Sequence, residues 1–149
     1  MLDLEQLGID YKELADESFD SGSPWNEQQF VSFIKEKGHD VIEVREQGIL
    51  KGFLLYSFVL DESELILIGI AQDYKRQGIG RQLVDQMRET LLEQKVGRVL
   101  LEVRESNHSA KLFYTDLGFR LIGKRTNYYH DPIEDGLIME LYMGSDKHE

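Results

Sequence analysis

Residues 64–91 read ELILIGIAQDYKRQGIGRQLVDQMRETL and contain a strand, a glycine-rich turn and a helix in direct succession. The run from Glu64 to Ala71 is apolar at nearly every position, which predicts a central strand covered on both faces. Helical spacing follows, because apolar residues fall at positions 79, 83, 84, 87 and 91 and the pattern stops before Gly97. Together these elements indicate an α/β fold.

The rest of the chain alternates between strand and helix patterns around this segment. Asp10 with Glu13, and Asn26 with Gln29, have the spacing of a capping box and predict two helix starts. The expected elements elsewhere are a strand at 2–7, helices at 10–19 and 26–38, a hairpin at 41–46 and 52–60, a strand at 98–104, a helix at 110–117 and strands at 119–124 and 136–143. Their order predicts a mixed α/β domain around one sheet.

Length and composition favour a single soluble domain over residues 1–149. The chain has 149 residues, of which 41% are hydrophobic, enough to bury one core. No apolar run approaches the roughly 18 to 20 residues of a membrane span, and residues 1–20 do not resemble a signal peptide, so we expect a cytoplasmic protein. The absence of cysteine excludes disulfides, thiolate metal sites and transfer of an acyl group through an enzyme thiol.

The formal charge of −11 argues against nucleic acid as a partner, because proteins that bind phosphate backbones are typically basic. Acidic residues are concentrated in residues 1–27, where Lys12 is the single basic residue. Such a surface can steer a cationic substrate, or it can serve solubility alone.

A potential anion site lies between the predicted strand and helix. It comprises Lys75, Arg76, Gln77, Gly78, Ile79, Gly80 and Arg81. Glycines allow close backbone approach, and the first-turn N–H groups with the helix dipole attract an anion such as pyrophosphate. A tight connection without a ligand would show the same pattern, and the segment lacks the Gly-Lys-Ser/Thr of a nucleotide P-loop and the third glycine of the dinucleotide fingerprint.

The stretch from Leu65 to Tyr142 resembles the GNAT superfamily of N-acetyltransferases and, within it, the RimI-type ribosomal-protein alanine N-acetyltransferases. The matching motifs are Asp73-Tyr74-Lys75-Arg76-Gln77-Gly78-Ile79-Gly80, Leu101-Glu102-Val103-Arg104-Glu105-Ser106-Asn107, Phe113-Tyr114 with Leu117-Gly118-Phe119, and Arg125-Thr126-Asn127-Tyr128-Tyr129. Pro24-Trp25-Asn26-Glu27 is similar to the subfamily's Pro-Trp-Ser-Glu. The resemblance implies a mixed central sheet of about six to seven strands flanked by about four helices.

The resemblance also implies acetyl-coenzyme A as the acetyl donor. The glycine turn would hold its pyrophosphate, and the backbone of Ile68 and Ile70 would pair with its pantetheine arm. Asn107 would touch the cofactor, or it would only N-cap the next helix. The sequence departs from the superfamily in Lys75, where Gln or Arg is usual, and in Ala71-Gln72, where relatives often carry an acidic residue and proline.

Glu102 and Tyr114 match the positions of the base and the acid in the ribosomal enzymes. An α-amine with a pKa near 8 is about one-tenth neutral at pH 7, but a glutamate with the reference pKa of about 4.3 is a weak base for it, so a water relay is expected. A tyrosine can protonate the departing thiolate. Apart from the resemblance, Glu102 reads as a solvated or salt-bridged acid, and Tyr114 as a core aromatic residue.

The resemblance places Trp25, Tyr128 and Tyr129 at the acceptor. The two tyrosines lie in a loop over a substrate groove, or they pack the last hairpin. The implied acceptor is the basic N-terminus of a ribosomal protein. We expect no nucleic-acid or membrane partner, and a protein that is a monomer or weak homodimer. Two alternatives stay open: acetylation of a small amine or lysine side chain, and a non-catalytic acyl-coenzyme-A-binding regulator. The histidines lack metal-ligand spacing, so we expect no metal site. We expect all four of them to lie on the surface: His39, His108, His130 and His148.

Overall fold

The computed structural model describes residues 3–143, and this part of the chain forms six β-strands and four α-helices. The helices are α1 (Leu4–Ser18), α2 (Glu27–Lys35), α3 (Ile79–Glu93) and α4 (His108–Asp116). The strands are β1 (His39–Glu46), β2 (Ile49–Val59), β3 (Glu62–Ile70), β4 (Arg98–Arg104), β5 (Arg120–Tyr129) and β6 (Glu134–Tyr142). The sheet order is β1-β2-β3-β4-β6-β5, with β3 and β4 parallel. The predicted fold class is confirmed.

The chain groups into two compact units. Unit 1 runs up to Phe58 and resumes over Leu65–Thr90. Unit 2 comprises Val59–Glu64 and the chain from Leu91 onward. Helix α1, helix α2 and the hairpin therefore belong to unit 1, whereas β4, α4, β5 and β6 belong to unit 2.

The N-terminal segment differs from the prediction. Helix α1 starts at Leu4, and the side chain of Asp3 caps it by accepting the Gln6 N–H at 3.2 Å. The predicted strand at 2–7 is therefore wrong over the described residues 3–7, and the helix starts well before Asp10. The apolar side chains that face the core lie at helical spacing, which outweighs the alternation seen in so short a window. These residues are Leu7, Tyr11, Leu14 and Ala15.

Helix α2 and the following hairpin agree with the prediction. Asn26 and Gln29 form a complete capping box, in which each side chain accepts the other residue's N–H at 2.8 Å. The helix ends at Lys35, slightly before the predicted Gly38. In the hairpin turn, both Gln47 and Gly48 have positive φ angles, which match the twist of antiparallel strands.

Aromatic rings form the core of unit 1. Tyr11 stacks on Phe53 with a centroid distance of 4.6 Å, and Phe30 meets both rings edge-on at 5.8 Å. All three side chains are fully buried. The Tyr11 hydroxyl donates to Glu43, so the polar end of this ring is satisfied inside unit 1. Helices α1 and α2 are thus fixed on the hairpin by one aromatic cluster.

Unit 2 has a sheet whose two faces differ chemically. Along β4, three buried apolar residues alternate with four half-buried residues, as the predicted alternation requires; the buried ones are Val99, Leu101 and Val103. Tyr114 of α4 packs edge-on against Phe119 at 5.4 Å in the same unit. The opposite face of β4 carries Glu102 and Arg104. One face therefore supplies a core, and the other supplies charged groups.

No helix within residues 3–143 has both the length and the apolar content that crossing a membrane requires.

We expect Gly69→Ala to destabilise unit 1. A Cβ on Gly69 would lie 2.9 Å from Phe53 Cε2 and 3.1 Å from Leu14 Cδ2, so the packed core would have to shift. Overpacking of this kind costs about 1–3 kcal/mol. Urea denaturation measures the change in the free energy of unfolding.

Gly97→Ala is the matched control, because its new Cβ would meet Asp61 O at an ordinary 3.6 Å. Equal stability of the Gly69 and Gly97 variants would contradict the packing argument.

Candidate active site

The glycine turn connects β3 to α3 through a single 3-10 turn at Gln72–Tyr74. Arg76 and Gly78 have φ angles of 65° and 82°, so the backbone twice enters the left-handed region. The Gly78 carbonyl accepts the Gln82 N–H at 3.0 Å and makes the first hydrogen bond of α3. The N–H groups of Ile79, Gly80 and Arg81 therefore lie in the first helical turn, where no intrahelical acceptor exists. This arrangement is an electropositive anion cradle.

Helix α1 anchors the chain that leads from β3 into this turn, within unit 1. Ser18 Oγ accepts the Ile70 N–H at 3.0 Å, and Glu17 Oε1 accepts the Gln72 N–H at 2.7 Å. The Lys75 ammonium donates to the Ser18 carbonyl at 2.8 Å. The Lys75 side chain, predicted to contact the cofactor, thus ties the turn to α1, whereas Arg76 and Arg81 are exposed.

At the end of β3, alternate backbone N–H groups point toward β2 and away from it. The Ala71 N–H donates to the Lys51 carbonyl of the neighbouring β2 strand at 2.9 Å. Because successive N–H groups of a strand point to opposite sides, those of Ile68 and Ile70 point away from β2. The β3–β4 ladder includes only Glu62–Glu64 with Arg98–Leu100, so Ile68 and Ile70 lie outside it. The Ile70 N–H is the one that Ser18 engages.

Glu102 projects from β4 into the charged face of unit 2. Its side chain is 17% exposed, and Arg125 Nε lies 2.7 Å from Oε2. This contact is an ion pair and not an aligned hydrogen bond, because Oε2 accepts no well-directed N–H from the described residues. A buried carboxylate oxygen with an unused lone pair is available to a proton donor or a water molecule. The expectation of a salt-bridged acid and the expectation of a base both fit this geometry.

Glu64 is a charged neighbour of Glu102 that the sequence did not indicate. It lies opposite Leu100 in the parallel β3–β4 pair, and Leu100 and Glu102 share one face of β4. Burial raises the pKa of the Glu64 carboxyl, the charge of Glu102 raises it further, and Arg125 lowers it. The sequence contained one signal, a charged residue at the start of an otherwise apolar strand, but only the register shows which residue it faces.

Tyr114 lies in α4 and is buried, with Phe113 at 5.1 Å and Phe119 at 5.4 Å. Burial raises the pKa of its phenol well above the ordinary value, so the hydroxyl stays protonated at neutral pH. Within the described chain, no hydrogen bond joins Tyr114 to Glu102. The ring of Tyr114 is a core aromatic residue, as one of the two interpretations predicted. Its hydroxyl keeps the proton that a general acid needs.

Asn107 caps α4, because its side chain accepts the Ala110 N–H at 3.1 Å. The predicted capping role is therefore present, and the predicted contact with a cofactor stays a prediction.

Tyr128 and Tyr129 lie in strand β5, so the predicted loop position is wrong and the hairpin alternative describes them. Their rings meet edge-on at 5.1 Å. Each ring carries one guanidinium: Arg125 lies 5.2 Å from the Tyr128 centroid, and Arg104 lies 4.5 Å from that of Tyr129. Strand β5 is longer than expected because Asp135 accepts the Asn127 N–H at 2.8 Å and bridges an irregular stretch of the ladder.

Trp25 is half-buried in unit 1, with Phe30 at 5.2 Å and Phe33 at 5.5 Å. It lines a shallow groove together with residues of α2 and His39. His39 stacks on Phe33 at 4.0 Å and is half-buried, which corrects the expectation of a surface position, whereas His108 and His130 are exposed. His148 lies outside the described residues.

Known proteins similar to this chain share one family. Residues 4–119 match the model of the acetyltransferase (GNAT) family. The chain is 38% identical over 120 residues to the [ribosomal protein bS18]-alanine N-acetyltransferase of Escherichia coli K12, covering 79% of this chain and 80% of the relative. It is 34% identical over 118 residues to a putative enzyme of the same name from Bacillus subtilis, covering 78% of each.

Solved structures agree. The ribosomal-protein-S18-alanine N-acetyltransferase of E. coli superposes with a TM-score of 0.82 at 31% identity, covering 93% of this chain and 91% of that one. A putative streptothricin acetyltransferase from Bacillus anthracis, solved with acetyl coenzyme A, shares the fold at 19% identity and a TM-score of 0.68, covering 76% of this chain and 67% of that one. The chain is therefore a member of the GNAT acetyltransferase family.

Proposed function

We propose that this acetyltransferase moves an acetyl group from acetyl-coenzyme A to the N-terminal α-amine of a ribosomal protein, with alanine as the first residue. The observation that carries the proposal is the 38% identity to the E. coli bS18-alanine enzyme over 79% of this chain. The glycine turn, Glu102, Tyr114 and the paired tyrosines of β5 lie within the sequence motifs that carry the resemblance to this family. The acceptor specificity is inferred from this relative.

The glycine turn fits the pyrophosphate of acetyl-coenzyme A. The segment Lys75–Arg81 contributes first-turn N–H groups, and a Cβ placed on Gly78 would have no atom within 4 Å, so the cradle is open. The exposed Arg76 and Arg81 add positive charge beside it. The backbone of Ile68 and Ile70 is assigned to the pantetheine arm, although the Ile70 N–H already donates to Ser18, and Asn107 is assigned a cofactor contact. Bound acetyl-coenzyme A supplies the activated acetyl thioester.

Proton movements are assigned to Glu102 and Tyr114. Glu102 accepts the amine proton, directly or through a water molecule, as the nitrogen forms its bond to the acetyl carbon. Tyr114 donates its proton to the sulfur as the carbon–sulfur bond breaks. The raised pKa of Tyr114 keeps this group in the donor form at neutral pH. Because the chain has no cysteine, transfer is direct, and holding both reactants together supplies much of the rate.

The acceptor is a basic peptide. A net charge of −11 attracts the Lys- and Arg-rich proteins that bind ribosomal RNA, and this contribution is electrostatic steering. Trp25, Tyr128 and Tyr129 are assigned to the acceptor on the strength of the family resemblance. We place the enzyme in the cytoplasm as a monomer or weak homodimer.

Substrate assays test the assignment directly. Mass spectrometry after incubation with acetyl-coenzyme A should show one added acetyl group on the α-amine of a peptide copying the N-terminus of this organism's own bS18. The same peptide blocked at its N-terminus should stay unmodified, although it carries lysines. Acetylation of polyamines or lysine side chains alone would refute the ribosomal assignment, and cofactor binding without turnover on any amine would favour the regulator.

We expect Tyr114→Phe to lower kcat by about tenfold or more, because the thiolate loses its proton donor. The dissociation constant for acetyl-coenzyme A should stay unchanged in calorimetry, since the ring and its packing are retained. Tyr56→Phe is the control: it removes another buried hydroxyl, one that donates to Asp40 at 3.3 Å, and should leave kcat unchanged. A wild-type rate for Tyr114→Phe would remove this residue from the mechanism.

We expect Gly78→Ala to weaken acetyl-coenzyme A binding by about tenfold, because alanine disfavours the left-handed backbone that forms the cradle. Gly48→Ala is a matched control. Gly48 has the same φ of 82° and the same open surroundings, but it lies in the β1–β2 turn. Calorimetry on both variants separates cofactor binding from general strain, and equal affinities would argue against the cradle.

A further inference from the structure

Arg125 reaches Glu102 across an intervening strand. Arg125 lies on β5 opposite Gly136 of β6, and Glu102 lies on β4 opposite Ile138 of β6. Strands β5 and β4 are two sheet spacings apart, about 10 Å, a span that an extended arginine covers. Gly136 has no side chain to block this path, and a Cβ there would lie 3.2 Å from Tyr128. The glycine therefore leaves room for the guanidinium to cross the sheet.

Tyr128 holds the guanidinium in place. The Arg125 Cζ atom lies 5.2 Å from the Tyr128 centroid, within the range of cation–π attraction. Tyr128 in turn meets Tyr129 edge-on. Arg125 is otherwise 56% exposed, so the aromatic ring and the Glu102 carboxylate are the contacts that restrict it.

The two neighbouring arginines on this sheet face, Arg98 and Arg104, pair with residues other than Glu102. Arg104 donates to Glu134 at 3.0 Å and to the carbonyls of Pro132 and His130 at 3.1 Å each. Arg98 bridges Glu62 and Glu140. In residues 3–143, Arg125 is therefore the one cation paired with Glu102.

Two carboxylates share that cation. Glu64 from β3 faces Glu102 and has no ion pair among the described residues, whereas Glu62, Glu134 and Glu140 on the same face each pair with an arginine.

From β5, the phenol of Tyr129 also faces Glu102, and the opposing residue on β6 is the apolar Ile138. The charge of Glu102 raises the pKa of Glu64 and the charge of Arg125 lowers it, so the guanidinium offsets the repulsion between the two carboxylates.

We propose that Arg125 is a positioning residue, which holds the Glu102 carboxylate in the direction from which it can accept the acceptor's proton. This role rests on the proposed function of Glu102 as the base. A fixed direction is needed because proton transfer requires hydrogen-bond geometry. The guanidinium supplies the charge and Tyr128 supplies the restraint.

The test compares Arg125→Gln and Arg125→Lys with Arg120→Gln in the α-amine acetylation assay. Arg120 belongs to the same strand and pairs at 3.5 Å with Glu140, which keeps Arg98, so it is a matched control. We expect Arg125→Gln to lower kcat about tenfold, with the KM for acetyl-coenzyme A changed less than about twofold. Arg125→Lys should restore part of kcat, and Arg120→Gln should retain all of it.

The pH profile provides a readout that a merely structural role would not move. Arg125 lowers the pKa of Glu64, so loss of the cation raises it, and the acid limb of kcat should move to higher pH in Arg125→Gln and stay in place in Arg120→Gln. Equal thermal melting of the variants shows that folding is intact. A wild-type kcat and profile for Arg125→Gln would overturn the proposal, whereas a wild-type enzyme inactive on every α-amine would instead overturn the proposed function.

Discussion

The left-handed backbone at Gly78 sets how the chain leaves the glycine turn and enters α3. Five apolar residues of α3 at helical spacing are buried, so the helix axis is held by packing. Hydrogen bonds that the Ile70 and Gln72 N–H groups donate to Ser18 and Glu17 of α1 hold the segment just before the turn. With both ends restrained, the first-turn N–H groups of α3 have a fixed direction. A preorganised cradle of this kind binds an anion without an ordering cost at the moment of binding.

The charged side chains of unit 2 form rows that run across neighbouring strands of the sheet. One row runs Glu62, Arg98, Glu140 and Arg120 over four strands, with contacts between 2.7 and 3.5 Å. The next row contains two carboxylates, Glu64 and Glu102, and the single cation Arg125. The first row is balanced and ties strands together, whereas the second has an excess of negative charge. Under the proposed function, this excess of negative charge would attract the positively charged amine of the acceptor.

Prediction from sequence succeeded where short-range chemistry decides the conformation. The capping box of α2, the apolar stripe of α3 and the alternation of β4 were all anticipated, because each depends on residues fewer than five positions apart. It failed at α1, where Asp3 and not Asp10 caps the helix, because two acidic residues offered competing starts. Gly8 lies inside α1, where a Cβ would lie 2.8 Å from Glu27 O, so the packing of α1 against α2 requires a glycine there.

Local patterns were sufficient to predict most elements of the fold, the glycine turn and the family, because periodicity, backbone preference and motif spacing are local properties. Three features became visible only in the folded chain: the Lys75 ammonium donates to α1, arginines lie over the rings of the strand residues Tyr128 and Tyr129, and Glu64 faces Glu102. These outcomes depend on strand register and on the lengths of side chains that cross the sheet. Residues far apart in the chain become neighbours through register, and the field that a carboxylate experiences is the sum over such neighbours.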